Sequence, residues 1–494
     1  MTKSDYLLYL KHPCWLWLKK NNPKKLPAPN DNLQAIFEAG YLFESYAEKL
    51  FPNGLKLNWR GFEEYLNLPQ RTKETILSGA KTIFQGRFET GEITCIVDVI
   101  DFKDEKILNL YEIKSTSSIK PYQEHDLAFQ TIVLEESGYA VDRIFIIHVN
   151  SEYVRKGEII PKELSKTVDV TAKIRKRIEA TRENIKKALE VAEQKEMPNP
   201  TPALCGLSCI EDWLEIYKPM AGIKKGDGSI YDIYKPNATL IGKLEEAGIE
   251  KLSDIPIDFP ALSEKQQWQV KVNESNEIFQ DKKKLEKFIK KIKYPLYFLD
   301  YETLSSVVPY FDGHRPYQQI PFQYSLHVIT QPGARPRHFE YLHSEKSDPT
   351  KPLTESLASN IGPAGTILVW WESFEKNCNT IMGEMLPKYQ KFYENLNNRI
   401  IDLIEPFYNF YYVDKKFGGS SSIKDVLPVL VPELSYKELG ISEGNTAQRL
   451  WMEAILDGKR DGEKEKILRD LWDYCKLDTL AMVKIWEFLQ SLKP

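Results

Sequence analysis

The chain has 494 residues, of which 42% are hydrophobic and 28% charged, and its formal net charge is -4. Such a composition is ordinary for soluble domains with hydrophobic cores, and the absence of any apolar run of about 18 residues excludes a membrane-spanning helix. The charge excludes a protein that is basic throughout, and the basic stretches at 173–187 and 282–293 are predicted to form solvated helix faces. The chain start has no signal-peptide pattern, so we expect a cytoplasmic protein.

The first predicted unit, residues 1–213, has an α/β pattern. Apolar residues recur at helical spacing over 33–51, and the segments after it are apolar or alternating, as strands are. The predicted order is helix, three strands, helix and strand. The second helix is predicted at 124–138, and the strands at 81–89, 93–102, 107–115 and 143–150.

A second α/β unit is predicted over 293–494, after a small helical connector at 214–292. It begins with the apolar strand YPLYFLDYET, and strands and helices follow until a long final helix that contains the motif YCKLD. Both units therefore belong to the α/β class, in which functional groups commonly gather at strand ends.

Asp98, Glu112 and Lys114 form the first candidate site. Asp98 interrupts the apolar strand ITCIVDVIDF, and Glu112 and Lys114 lie two residues apart in the next strand, LNLYEIKS. Residues i and i+2 of a strand share a face, so the three side chains can meet. Two carboxylates suit Mg²⁺ or Mn²⁺, and a lysine beside them can stabilise charge on a phosphate under attack. A strand edge carrying ordinary charges is the alternative.

This pattern, in its order of helix, three strands, helix and strand, resembles the RecB-type branch of the PD-(D/E)XK nucleases over residues 5–215. The resemblance implies a restriction-endonuclease-like core with Asp98 and Glu112 as metal ligands and Lys114 as the catalytic lysine. It also implies a catalytic role for Gln130, which matches the glutamine on the helix that follows the lysine strand.

One position of the first helix departs from this family. Many members carry a histidine there, a few residues after a glycine, whereas here Phe43 follows Gly40. The next residue, Glu44, is either a substitute metal ligand or a solvent-facing glutamate.

The six cysteines do not form the pattern of a disulfide framework. Cys14, Cys205 and Cys209 fit three of the four positions at which some RecB-type nucleases hold an iron–sulfur cluster through thiolates. A fourth cysteine is missing from IEDWLEIY, which follows Cys209. A degenerate site filled by packing is therefore favoured over a cluster. The remaining cysteines are predicted core residues: Cys95, Cys378 and Cys475.

The second candidate site combines two motifs near the ends of the second unit. Asp300 and Glu302 lie two apart in the strand YFLDYET, and Tyr474 and Asp478 lie four apart on the final helix, so each pair shares a face. Acidic pairs on apolar elements are costly to bury unless they bind a partner. Carboxylates that bridge two cations can activate water, which a tyrosine can orient. A strand-end turn and an amphipathic helix are the alternatives for each motif alone.

These motifs resemble the DnaQ-like exonucleases of the ribonuclease H superfold, in the subgroup whose last motif is Tyr-x-x-x-Asp, over residues 294–490. The resemblance implies a mixed sheet with helices. It also implies Asp300, Glu302 and Asp478 as metal ligands and Tyr474 as a catalytic residue.

The middle acid of this family is usually an Asp in the pattern N-x-x-F-D. Here LVWWESFEKN places Glu375 after Phe374, and Glu372 is the competing candidate. Asp402, in RIIDLIEPF, resembles an additional metal-binding acid of related bacterial domains. The segments YFLDYET, SSSIKDVLPVLVPELSYKELGISEGNTA and YCKLDTLAMV also resemble a bacterial domain family of uncharacterised function, in which a RecB-type unit precedes a ribonuclease H-like unit.

Together the resemblances imply a metal-dependent nuclease, more typically an exonuclease, that uses Mg²⁺ or Mn²⁺ on nucleic acid, with DNA favoured over RNA. The main alternative is a nucleic-acid-binding or scaffold protein in which one or both sites no longer cut. A different hydrolase chemistry is a minor alternative, because the sequence has no nucleophile elbow, Walker loop or zinc motif. Any helicase partner is expected to be a separate protein, and no membrane partner is expected.

Overall fold

The computed structural model describes residues 1–28, 30–207, 209–224 and 226–492. It is a mixed α/β structure, which confirms the predicted class. The chain forms two compact units. The first comprises Met1–Lys224, Asn237–Gly242 and Ser306–Tyr317, and the second comprises the rest of the described chain. The residues predicted as a connector, 214–292, are divided between the two units.

The first unit is built on one mixed sheet. Its helices are α1 (Lys3–Lys11), α2 (Pro13–Asn21), α3 (Asp31–Ala47), α4 (Gly61–Leu77), α5 (Pro121–Glu136), α6 (Pro161–Leu164), α7 (Thr171–Arg175), α8 (Ile178–Glu193) and α9 (Ile210–Met220). Its strands are β1 (Leu55–Lys56), β2 (Thr82–Thr90), β3 (Ile93–Phe102), β4 (Ile107–Lys114), β5 (Ala140–Val149) and β6 (Ser165–Asp169). Helix α10 (Ala238–Glu246) begins in the first unit and ends in the second.

The strands of this sheet follow chain order, from β1 to β6. Strands β2, β3 and β4 are antiparallel neighbours, β5 runs parallel to β4, and β6 returns antiparallel to β5. Helix α5 forms the crossover from β4 to β5, and Phe129 and Ile132 pack it into a core with Leu110 and Ile146 of the sheet. The order helix, three strands, helix, strand is present as α3, β2, β3, β4, α5 and β5, with α4 inserted after α3.

The second unit has a five-stranded sheet and a two-stranded one. Its helices are α11 (Glu264–Ser275), α12 (Lys282–Lys291), α13 (Thr350–Asn360), α14 (Glu372–Met385), α15 (Gln390–Arg399), α16 (Glu405–Tyr408), α17 (Ile423–Leu430), α18 (Gly444–Trp451) and α19 (Lys464–Ser491). Its strands are β7 (Phe279–Gln280), β8 (Leu296–Leu304), β9 (Ile320–Ile329), β10 (Arg337–Leu342), β11 (Thr366–Val369), β12 (Ile400–Asp402) and β13 (Tyr412–Val413).

The five-stranded sheet has the order β10-β9-β8-β11-β12. Strand β8 is antiparallel to β9 and parallel to β11, which is parallel to β12. The carboxyl ends of β8, β11 and β12 therefore lie at one edge of the sheet, where α/β folds commonly place their sites. Leu299 and Tyr301 of β8 pack with Cys378 and Met382 of α14. Asp300 and Glu302, which alternate with these residues along β8, point to the opposite face of the sheet.

None of the helices within the described ranges combines the length and the apolar character needed to span a bilayer.

Candidate active sites

The first predicted site lies where β3 and β4 separate. Their ladder ends at the pair Val99–Tyr111. Just beyond it, Oδ2 of Asp98 accepts a hydrogen bond from the backbone N–H of Ile113 at 2.8 Å. The carboxylate of β3 thus replaces a strand-to-strand hydrogen bond. This contact holds Asp98 beside the segment of β4 that carries Glu112.

Glu112 is buried and fully hydrogen-bonded at this site. Its Oε1 accepts from Nζ of Lys114 at 2.5 Å and from Nζ of Lys3 at 3.1 Å, and its Oε2 accepts from Nε2 of Gln130 at 2.6 Å. Asp126 accepts from Lys114 at 3.0 Å and from Gln130 at 2.8 Å. The structure therefore brings the predicted Glu112, Lys114 and Gln130 together. It adds Lys3 of α1 and Asp126 of α5, which the sequence analysis did not select.

A gap in the pairing of β2 with β3 supplies a further group to the first site. Gln85 and Asp98 face each other between the pairs Phe84–Val99 and Gly86–Val97 without being paired, and Gln85 has a φ of +58°. Nε2 of Gln85 donates to Oε1 of Glu44 at 2.6 Å and lies 3.5 Å from Oδ1 of Asp98. Glu44 therefore faces the site instead of bulk solvent. Phe43, at the position of the family's histidine, is buried in the hydrophobic core.

Burial and mutual repulsion dominate the electrostatics of these acids. Burial raises the pKa of Glu112 to about 7, and Asp126 and Asp98 add to the rise. Burial also raises the pKa of Glu44 to about 7, again with help from Asp98. Burial alone would lower the pKa of Lys114, but Asp126 and Glu112 hold it well above its ordinary value. The acids are thus ionised at neutral pH only at a free-energy cost that a bound cation would remove.

At the predicted degenerate iron–sulfur site, two of the three cysteines donate hydrogen bonds to backbone carbonyls. The thiol of Cys14 donates to the carbonyl of Pro198 at 3.1 Å, and that of Cys209 donates to the carbonyl of Lys11 at 3.0 Å. Burial raises the pKa of Cys14 to about 12, which favours the thiol. Cys205 and Cys209 are hydrogen-bonded to each other, and this contact raises the pKa of Cys205 and lowers that of Cys209. The degenerate site without a cluster stays a prediction.

The second predicted site lies between β8 and α19. Asp300, Glu302 and Cys475 offer ligand atoms that all lie within 4.8 Å of one another. The Sγ atom of Cys475 is 3.7 Å from Oδ2 of Asp300. Glu302 and Cys475 are buried and Asp300 is half-buried, so two acids and a thiol share one enclosed space. Cys475 is a buried residue, as predicted, and it also borders the acids.

Asp478 is held by a tyrosine that the sequence analysis did not select. The hydroxyl of Tyr436 donates to Oδ1 of Asp478 at 2.6 Å. Asp478 is not a member of the 4.8 Å group, although its charge raises the pKa of both Asp300 and Glu302. The ring of Tyr474, the predicted catalytic tyrosine, lies 6.3 Å from that of Tyr436, edge to face. Both tyrosines therefore border the same acids.

Glu375, not Glu372, joins this cluster from α14. Glu375 is buried, and one of its oxygens accepts from the backbone N–H of Tyr301 on β8. Its Oε2 has no hydrogen-bond partner among the described residues. Glu372 instead pairs with Lys376 at 2.8 Å on the helix surface.

Asp402, the other predicted ligand, caps a turn. Its Oδ1 accepts from the backbone N–H groups of Trp371 and Ile404, and its Oδ2 accepts from that of Glu372, at 2.8–3.1 Å. The bonds from Trp371 and Glu372 fix the turn between β11 and α14, just before Glu375, and the bond from Ile404 fixes the residues that follow β12. Asp402 thus positions this turn.

Lys424 of α17 is the cation whose charge opposes the second group of acids. Burial raises the pKa values of Asp300 and Glu302 well above their ordinary range, and burial raises that of Asp478 to about 6. The positive charge of Lys424 lowers all three pKa values and so partly offsets the effect of burial. Its Nζ also lies 5.5 Å from the ring centre of Tyr474.

We expect the stability of the metal-free protein to rise as the pH falls from about 8 to about 6.5, by about 1–2 kcal/mol from the acids of the first site alone. The pKa values of Glu44 and Glu112 are raised to about 7 in the fold, so the folded state takes up protons before the unfolded state does. Saturating Mg²⁺ should flatten this dependence. Chemical denaturation in EDTA at several pH values measures it, and a stability that is constant or falls over this range would contradict the expectation. Below about pH 6.5, buried His12 and His327 lower the stability as the pH falls, because their pKa values are lowered in the fold to about 4 and about 3.

The residues that the sequence analysis missed lie on elements remote in sequence from the recognised motifs. Lys3 carries no local pattern that distinguishes it from solvent-facing residues. Lys424 and Tyr436 lie in SSSIKDVLPVLVPELSYKELGISEGNTA, a segment that was recognised only as part of a family resemblance. Asp126 could have been selected, because it is a charged residue inside a largely apolar helix.

The second site coincides with a region that is shared with other proteins. A model described as a domain of unknown function, DUF2779, matches residues 297–422. This fits the predicted resemblance to an uncharacterised family. The matched segment contains Asp300, Glu302, Glu375 and Asp402, and it ends before Asp478.

Relatives among curated proteins carry no assigned activity in their names. The uncharacterized protein MG366 of Mycoplasma genitalium is 28% identical over 222 residues, which cover 41% of this chain and 33% of that protein. Its homolog in Mycoplasma pneumoniae is 27% identical over 228 residues, with 41% and 33% covered. The uncharacterized protein UU173 of Ureaplasma parvum is 24% identical over 225 residues, with 41% and 32% covered. The matches thus cover about a third of these relatives.

Proposed function

We propose that the chain is a metal-dependent nuclease with two carboxylate sites. In this proposal a RecB-type PD-(D/E)XK domain forms the first unit and a DnaQ-like ribonuclease H domain forms the second. The observation that carries the proposal is the group of mutually repelling, largely buried acids of the second site: Asp300, Glu302, Glu375 and Asp478. Like charges that are removed from water are unstable together unless cations or protons neutralise them.

The donor set of the second site fits Mg²⁺ or Mn²⁺, which prefer oxygen ligands. Asp300 and Glu302 would hold the cation, with the unpartnered Oε2 of Glu375 as a further donor. Asp478 would join them from α19. Burial raises the pKa of Cys475 well above its ordinary value, so this residue remains a thiol beside the acids. When bound, such a cation activates water and neutralises charge on the phosphate.

The surrounding residues have separate tasks in the hydrolysis, in which water forms a bond to phosphorus and the bond to the leaving oxygen breaks. Tyr436 donates its hydroxyl proton to a hydrogen bond with Asp478 and favours the ionised form of that acid. Lys424 places a positive charge near the same acids, where a negatively charged substrate would enter. Tyr474 is the candidate for orienting the attacking water.

At the first site, Asp98 and Glu112 would hold a cation, with Glu44 as a further oxygen donor. Lys114 and Gln130 orient Glu112 through direct hydrogen bonds. Lys114 is also placed to stabilise negative charge on the phosphate.

Hydrolysis assays test the proposed function. The full chain is incubated with labelled single- and double-stranded DNA and RNA in Mg²⁺, in Mn²⁺ and in EDTA. We expect cleavage of at least one substrate, most readily DNA, that EDTA abolishes. A double variant, Asp300→Asn with Glu112→Gln, controls for contaminating nucleases and should be inactive. Failure to cleave every substrate with either metal would contradict the proposal.

Tyr436→Phe should lower the second site's activity at neutral pH by about tenfold, because a hydrogen bond to a charged group is lost. This bond lowers the pKa of Asp478, so its loss should also move the acidic limb of the pH–activity profile to higher pH. Tyr474→Phe is the matched control, which should lower kcat without moving that limb. Identical profiles for the Tyr436 variant and the wild type would show that this hydrogen bond has no role.

A second candidate function for the first unit is nucleic-acid binding without cleavage. The observation that favours it is the pairing of Glu112 with both Lys3 and Lys114, which occupies the Oε1 atom that a cation would need. In that case Glu112→Gln would leave all hydrolysis unchanged, whereas Asp300→Asn would abolish it.

A further inference from the structure

Trp371 is an exposed aromatic residue held in a strained backbone conformation. It caps the N-terminus of α14 with φ +89° and ψ 70°, a left-handed conformation that is an outlier for a bulky side chain. Its side chain is 52% exposed, whereas the preceding Trp370 stacks on Phe407 at 5.8 Å. The sequence thus places a large apolar side chain in water where glycine would fit without strain.

Two contacts maintain this conformation. The backbone N–H of Trp371 donates to Asp402, and so does the N–H of the next residue, Glu372. The ring of Tyr408 stands perpendicular to the indole at 6.3 Å. The turn is therefore fixed by hydrogen bonds and the ring direction is restricted by one neighbour, while half of the side chain remains open to solvent.

The position of Trp371 relates it directly to the second site. Strand β11 pairs in parallel with β8, with Leu368 opposite Phe298. Continuing this register by two residues places Trp370 level with Asp300 at the shared edge of the sheet. Glu375 lies one helical turn after Trp371 on α14. The exposed indole thus belongs to a residue whose backbone lies beside the sheet edge that carries the acid cluster.

We propose that Trp371 is a stacking platform for an unpaired nucleobase of the polynucleotide whose phosphodiester lies at the second site. This inference rests on the proposed function and specifies its substrate as a single strand or a frayed end. Bases stack on exposed aromatic rings with little sequence preference, because every base has a π-face. Such a contact would hold the strand in register with the acids at Asp300 and Glu375. A base within an intact duplex is stacked on both sides and is not available to the indole.

Photochemical cross-linking tests the position of the base without requiring hydrolysis. Single-stranded DNA and RNA oligonucleotides that carry 5-bromouracil are bound to the full chain in Ca²⁺, irradiated and mapped by mass spectrometry. We expect an adduct on the peptide that contains Trp371, and we expect Trp371→Gly to lose it. Adducts confined to other peptides, or no adduct from either oligonucleotide, would overturn the proposal.

Affinity and stability of the same variants separate stacking from folding. In Ca²⁺, Trp371→Gly should weaken binding of oligothymidylate by about 5- to 100-fold, the equivalent of one lost stack, and Trp371→Phe should retain most of the affinity. Binding of an abasic oligonucleotide should not change. Because glycine accepts a positive φ, the glycine variant should melt no lower than the wild type. Equal affinities for the base-containing and abasic strands in the wild type would also overturn the proposal. If these results hold but no strand is cleaved, the platform stands and the nuclease proposal fails.

Discussion

Asp300→Asn is expected to lower hydrolysis at the second site by more than about a hundredfold, since even residues that only support metal ligands contribute 10- to 100-fold. Asp300 is central because its charge raises the pKa values of both Glu302 and Glu375. The same substitution should stabilise the metal-free protein, because one of several repelling carboxylates loses its charge while its shape is kept. Rates of hydrolysis and melting temperatures in EDTA measure the two effects.

The opposite signs of these effects make the experiment informative. A substitution that merely damages the fold lowers activity and stability together. Asp300→Asn should instead lower the rate of hydrolysis and raise the melting temperature in EDTA. Asp402→Asn is the matched control, because this acid caps a turn and its loss should lower the melting temperature. An Asp300→Asn variant that is less stable than the wild type in EDTA would contradict the account of the acid cluster.

Lys114→Met is expected to destabilise the first unit by about 3 kcal/mol and to abolish its hydrolysis. Lys114 contacts both Glu112 and Asp126, and its removal leaves two buried acids with Lys3 as their remaining cation. Breaking a buried ion pair from one side is costlier than removing both partners, because an uncompensated charge remains in the interior. Denaturant unfolding measures the loss of stability.

A double variant provides the control for this effect. Lys114→Met with Asp126→Asn removes a cation and an anion together and should recover much of the lost stability, but none of the activity. Additive destabilisation by the two substitutions would mean that Lys114 and Asp126 are not energetically coupled.

The central elements around both sites could be predicted because their signals are local. The strands carrying Asp98 and Asp300 are apolar runs that are each interrupted by two acids, and the alternation of side chains along a strand determines which neighbours share its face. The predicted strand at 93–102 coincides with β3. Helix α4 was not predicted: it contains Pro69, and proline inside a helical pattern normally argues against a continuous helix.

The complete sites could not be predicted, because they depend on long-range packing. Lys3 reaches Glu112 from a position 109 residues away, and Tyr436 reaches Asp478 across 42 residues. The choice between Glu372 and Glu375 was open in the sequence and depends on which face of α14 meets β8. The role of Asp402 also depends on tertiary structure, because its oxygens are occupied by backbone N–H groups of the β11–α14 turn.

Calorimetric titration of the metal-free full chain with Mn²⁺ measures whether the two groups of acids bind cations, on which cleavage and substrate choice both depend. The wild type should bind Mn²⁺ at carboxylate-dependent sites. Asp300→Asn should lose the heat that belongs to the second site, and Glu112→Gln should lose the heat that belongs to the first. Isotherms of the wild type and both variants that coincide, or that show no binding, would contradict the account and leave a nucleic-acid-binding or scaffold role.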